Sequence, residues 1–110
     1  MLVLGDKMTI ADMQLVRKAL VTLTIEQALI EIGGKALLND VLRILYEKCQ
    51  CYLPDCFDHP ENFRKVWNEL DEGTCNLMIN LVKRNLKEFA YQKSIEEFLA
   101  GINQLKCFTR

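Results

Sequence analysis

Apolar residues recur at helical spacing along almost the whole chain, and no run of strict alternation marks a strand. The first stripe is Met13, Val16, Leu20 and Leu23. It predicts a helix over about 9–23, started by Thr9 with Asp12 three residues later as an approximate capping box. After the β-branched "VTLT" a second stripe, Ile25, Ala28, Leu29 and Ile32, falls nearly opposite the first at about 100° per residue. One straight helix would have to bury both faces. A break at Thr24, capped by Thr24 with Gln27, accounts for the jump. Gly33-Gly34 ends that segment, because glycine readily takes the left-handed conformation that closes helices. The next helix is predicted over 35–50. Leu38, Val41, Leu42, Leu45 and Cys49 form its stripe, widened by Leu37 and Ile44, a width that suits a central helix.

The loop "YLPDCFDHPENF" follows. Pro60 suits a first helical position and places Asp58 or His59 at the cap of a short helix over 60–70, with Phe63, Val66, Trp67 and Leu70 on one face. "DEGT" breaks it, and a long helix begins near Thr74 with Cys75, Met78, Ile79, Val82, Leu86, Phe89 and Ala90 as its stripe. The phase then jumps again. Ile95, Phe98, Leu99, Ile102 and Leu105 predict a last helix over 95–105, opened by a Ser94–Glu97 capping box. The alternative is one long helix buried on its second side by another subunit. The expectation is an all-α fold: a small helical bundle of about five to six helices, without a sheet or an internal repeat, forming a single domain over 1–110.

Composition narrows this picture. The chain of 110 residues is enough for one domain, and with half its residues hydrophobic it can build a core without staples. Fourteen basic against fifteen acidic residues leave a formal charge of −1, which gives no global pull toward nucleic acid or anionic membrane. No stretch approaches the roughly 20 apolar residues that span a bilayer. The start "MLVLGDKM" lacks the basic opening and sustained apolar run of a signal peptide. The expected location is cytoplasmic, with the five cysteines reduced; disulfides would fit a hyperthermophile's intracellular protein.

Candidate chemistry concentrates in "EKCQCYLPDCFDH", which brings Cys49, Cys51, Cys56 and His59 together in sequence. Zinc takes thiolates and imidazoles in pairs two to four residues apart, with a second pair at a distance. Cys56-x-x-His59 fits such a pair, Cys49-x-Cys51 is tighter than usual, and Cys75 or Cys107 would have to complete the set. The plainer assignment is preferred: the cysteines act as small apolar residues that close a helix and seat a loop, and His59 flanks a helix start. A disulfide within the cluster is a further alternative.

The helix pair 60–70 and 74–90 has the outline of a helix-turn-helix, but its second helix opens on "DEGTCN", acidic where phosphates would approach. Lys83, Arg84 and Lys87 come later and read as a solvated face. For catalysis, His59 would need Cys56 as nucleophile and Asp55 or Asp58 as orienting acid, residues that turn chemistry already explains. Gly33-Gly34 follows a helix rather than a strand, so no phosphate loop is present. Trp67, between Val66 and Leu70, reads as core. No catalytic residue, cofactor or metal ligand is therefore assigned.

The span from about Glu26 to Glu88 resembles the Nitrosopumilus output domain family, a family of small, mostly archaeal helical domains. The resemblance rests on "QALIEIGGKALLNDVLRILYEK", "LPDCFDHPENFRKVWNEL" and "DEGTCNLMINLVKRNLKEF", with Pro60-Glu61-Asn62-Phe63 and the break around Gly73 carrying most of it. It implies an all-α fold and a non-catalytic output or interaction role, sometimes attached to signalling modules. The cysteine-rich loop departs from the pattern, and the segments 1–23 and 90–110 extend beyond it. The apolar excess at both ends points to a self-associating domain, a homodimer, with a further protein partner as an additional expectation. The alternatives are a metal- or redox-responsive regulator built on the cysteine loop and a weak nucleic-acid binder.

Overall fold

The computed structural model describes residues 10–104, with side chains described from 13 to 103. The chain is almost entirely helical, and no strand occurs among the described residues. Helix α1 spans Ile10–Ile44 and passes through a non-helical joint at Gly33 and Gly34. It runs into a π-helical turn, Leu45–Cys49. A single turn, α2 (Asp55–Asp58), and a 3-10 turn (Pro60–Asn62) lead into α3 (Phe63–Glu69). Helix α4 (Glu72–Leu86) ends in a 3-10 turn (Lys87–Phe89), and α5 (Lys93–Gln104) closes the described chain. Among the described residues the helices of about two turns or more are four, α1, α3, α4 and α5, rather than the five or six expected.

The shortfall comes from the N-terminal half. No break occurs at Thr24: its hydroxyl donates to the Leu20 carbonyl at 2.8 Å, one turn back, the bond of a threonine inside a helix and not that of an N-cap, which accepts from the turn ahead. The second stripe is the core face, with Val21, Ile25, Ala28 and Leu29 no more than 1% exposed. The first stripe faces out, with Met13, Val16 and Leu23 exposed and Leu20 half-buried. At the joint Gly34 has φ 71°, a conformation that L side chains rarely adopt and that glycine supplies. The proposed capping at Thr9 and Asp12, and the stripe residue Leu105, fall outside the described residues or side chains.

α1 packs against α4, and the shorter helices close the remaining sides. Val41, Ile44 and Leu45 meet Phe63, Val66 and Trp67 of α3, and Met78, Val82 and Leu86 of α4 in one continuous core. Phe63 stacks on Trp67 with centroids 5.1 Å apart and planes at 15°. Phe57, in α2, meets Phe98 of α5 at 6.1 Å. The molecule measures 50 × 26 × 23 Å.

Two helix starts differ from expectation. α4 begins at Glu72, because Asp71 is the cap: its carboxylate accepts from the Thr74 N–H at 3.0 Å and from the Thr74 hydroxyl at 2.7 Å. Those bonds hold the Asp71 carboxyl below its usual range. α5 begins at Lys93, and the Gln92 carbonyl accepts from the N–H groups of its third and fourth residues, Ile95 and Glu96. Ser94 is already inside the helix, its hydroxyl buried and without a hydrogen-bond partner among the described residues, so the Ser94–Glu97 box does not form.

Candidate functional site

The end of α1 sets up the cysteine cluster. The π turn inserts an extra residue into the last helical turn, and Gln50 then takes a left-handed conformation (φ 54°, ψ 43°). Its N–H donates back to the Tyr46 carbonyl at 3.0 Å, and that of Cys51 to the Leu45 carbonyl at 3.4 Å. The reversal carries Cys51 inward beside Cys49. Asp55 closes the following turn by accepting from the Tyr52 N–H at 2.8 Å, and α2 drops Cys56 into the core, fully buried.

Asn62 ties the first two thiols together. Cys49 Sγ donates to the Asn62 carbonyl at 3.8 Å, and Asn62 Nδ2 donates to Cys51 Sγ at 3.5 Å. Cys51 Sγ donates to the Leu45 carbonyl at 4.0 Å, and Cys51 lies beside both Cys49 and Cys56, so the three thiols are neighbours from the half-buried Cys49 to the sealed Cys56. Burial pushes the Cys56 thiol far up from its ordinary value, and the neighbouring Cys51, Cys49 and Asp55 add to the shift. The Cys51 thiol is also raised, first by burial and then by Cys49 and Asp55, with the Asn62 amide opposing. A thiol held protonated in this way is a weak nucleophile and a weak metal ligand at neutral pH.

His59 does not join the thiols. Its backbone is extended (φ −134°, ψ 69°), its side chain makes no cap, and Nδ1 lies 3.2 Å from Glu61 Oε2 in an exposed pair. Cys75, at the start of α4, donates from Sγ to the Trp67 carbonyl at 3.9 Å; Cys107 lies outside the described residues. Among the described residues no three His, Cys, Asp or Glu side chains are arranged to hold a metal ion. The role of Asn62 has no local sequence signal, because it meets the thiols across thirteen and eleven residues of folded loop.

The second notable region is the outer face of α1. Met13, Val16, Leu23 and Ile30 are 39%, 56%, 50% and 40% exposed, a strip of large apolar side chains on one helix. Shallow apolar grooves run along it. One, of about 470 Å³, lies between Met13, Val16, Leu20 and the Phe89–Tyr91 turn, where Arg17 Nε donates to Gln92 Oε1. The other, of about 360 Å³, is lined by Leu15, Ala19, Leu23 and Pro54, and beside it Lys18 and Asp58 form an ion pair at 2.9 Å.

Lys83, Arg84 and Lys87 line a further shallow groove with Ala90 and Leu99, and Lys83 Nζ donates to Asn103 Oδ1 at 3.2 Å. The start of α4, where a recognition helix would meet bases, remains acidic with Asp71 and Glu72. Trp67 lies in the core at 7% exposure. No helix among the described residues is long and apolar enough to cross a membrane. Comparison with protein-family models, curated proteins and solved structures finds no match to this chain.

Proposed function

We propose that this protein is a non-enzymatic, all-helical interaction domain that self-associates as a homodimer, an output or partner-binding module of the kind its resemblance over 26–88 implies. The observation that carries this reading is the outward strip on α1. A helix that already buries Val21, Ile25, Ala28 and Leu29 also presents Met13, Val16, Leu23 and Ile30 to solvent. Clustered exposure of this kind on a small domain marks an interaction surface. The adjacent thiols of Cys49, Cys51 and Cys56 suit a reducing compartment, which supports a cytoplasmic location. Size-exclusion chromatography with light scattering, over about 1–100 μM protein, tests the reading: a mass that rises to twice the chain supports it, and a constant single-chain mass refutes it.

A second reading, a redox-responsive regulator, draws on one specific observation: the neighbouring thiols of Cys49, Cys51 and Cys56, the first two tied together by Asn62. A peroxide would join two of these thiols, which give up two protons and two electrons as the peroxide becomes water or an alcohol. Peptide mass mapping after hydrogen peroxide treatment tests it. A disulfide confined to this trio, with altered self-association, would support it; retention of all three thiols would end it.

A further inference from the structure

Residues 13–30 of α1 carry a heptad pattern on the side turned away from the core. Met13, Val16, Leu20, Leu23, Gln27 and Ile30 alternate spacings of three and four residues, the a and d positions of a coiled-coil seam. Five of the six are apolar, and none of the six is buried. The inward residues Val21, Ile25, Ala28 and Leu29 fall at b, f, b and c, and Thr24 at e is buried as well, so the core face borders the seam; Leu20, at a, packs partly on the core and partly outward. The seam stops where the helical backbone stops, at Gly33 and Gly34.

Eighteen residues make a contact roughly 27 Å long. An isolated coiled coil of that length is marginal, because its helices become ordered only on pairing. Here α1 is already ordered by its own core, so association does not have to fold it.

We propose that a second copy of this chain docks its α1 antiparallel along this seam, with Leu20 against the partner's Leu23. The inference rests on the self-association reading and adds to it the surface and the orientation. Charge selects the orientation. A parallel pair would set Glu26 at a g position beside the partner's Glu31 at e, twice per dimer. The antiparallel pair sets Glu26 beside the partner's Ala19, and Arg17 beside the partner's Thr24, without a like-charge contact. The grooves on either side of the seam, against Phe89 and Tyr91 and against Leu15 and Pro54, receive the flanking side chains of the copy. A footprint of roughly 27 by 10 Å per copy, about 540 Å² for the pair, falls below the roughly 1,200 Å² at which stable specific interfaces begin and suits only a transient contact. The dimer is accordingly expected to be weak and is best measured up to about 100 μM.

The test is sedimentation velocity on the full chain, with circular dichroism confirming that each variant keeps its helices. The wild-type chain is compared with the double variant Val16→Glu/Leu23→Glu and with Glu26→Lys; all three side chains lie outside the core. The expected result is a wild-type dimer, weakened at least about 30-fold in the double variant and changed less than about threefold by Glu26→Lys. A helical double variant that dimerises like wild type overturns the seam while leaving self-association standing. Tightening by about five- to thirtyfold in Glu26→Lys, as two like-charge contacts turn attractive, shows a parallel pair and overturns the orientation. A wild-type monomer throughout refutes self-association and the seam with it, and leaves the face to a different partner.

Discussion

Gly101 of α5 rides so closely over Pro60 that a Cβ on it would sit 2.7 Å from the proline Cγ and 3.2 Å from its Cβ. The pyrrolidine ring has no rotamer to swing away, so the contact fixes how near α5 can come to the turn that opens α3. Alanine would favour the helix by about 1 kcal/mol, but forcing α5 off its seat costs about 1–3 kcal/mol. Gly101→Ala is therefore expected to destabilise by about 1 kcal/mol in chemical denaturation. A more stable variant would show that α5 does not rest on Pro60.

The sealed thiol of Cys56 makes stability fall in alkali. Its folded-state pKa lies above the unfolded value, so its contribution is fully present below the unfolded pKa and is lost as pH rises beyond it. Above about pH 9 the unfolded chain releases the proton and the folded chain keeps it, a slope of up to ~1.4 kcal/mol per pH unit. Urea titrations at several pH values above neutrality measure this slope, which Cys56→Ala is expected to flatten. An equal slope in the variant would place its origin elsewhere.

The same geometry orders the thiols by reactivity. Cys49 is half-buried at the open end of the trio, Cys51 is 9% exposed, and Cys56 is closed off. Alkylation of the native protein followed by peptide mass mapping is expected to label Cys49 at least about tenfold faster than Cys56. Equal rates would mean that the whole loop opens before any thiol reacts.

Ser94 supplies a test whose sign decides. As a cap, it would lose about 0.5–2 kcal/mol on replacement by alanine. As a buried hydroxyl without a hydrogen-bond partner among the described residues, it gains on replacement, because alanine sheds the dehydrated group and prefers the helix. Ser94→Ala is expected to stabilise by about 1 kcal/mol in thermal or urea denaturation. A loss of stability would restore the capping role.

Much of the helical pattern was legible in the chain because most helices bury one face. Phe63, Val66 and Trp67, then Met78, Ile79, Val82 and Leu86, then Ile95, Phe98 and Ile102 are each stripes of one phase, and each lies in the core. α1 was not legible in this way. Periodicity reports that a face is apolar but not what covers it, so two apolar faces on one helix read as two helices separated at Thr24. At the thiol cluster, nearness in sequence marked Cys49, Cys51 and Cys56 as candidates while the preferred assignment gave each a separate packing role; the fold brings Cys51 beside the other two. Nearness also suggested His59, which the extended backbone before Pro60 instead leaves exposed beside Glu61. Asn62 went unnoticed because its bonds depend on the route the loop takes through space.

The clip between Arg17 and Gln92 joins positions 75 residues apart, so the first helix cannot finish its packing until the chain is nearly complete. At translation rates of about 5–20 residues per second, roughly 4–15 s separate the synthesis of its two halves. During that interval both faces of the nascent α1 are open to water and to neighbouring chains emerging from the same message. The outward apolar strip is thus on display together with the inner face before either has been covered, and the timing of synthesis bears on how long both stay open.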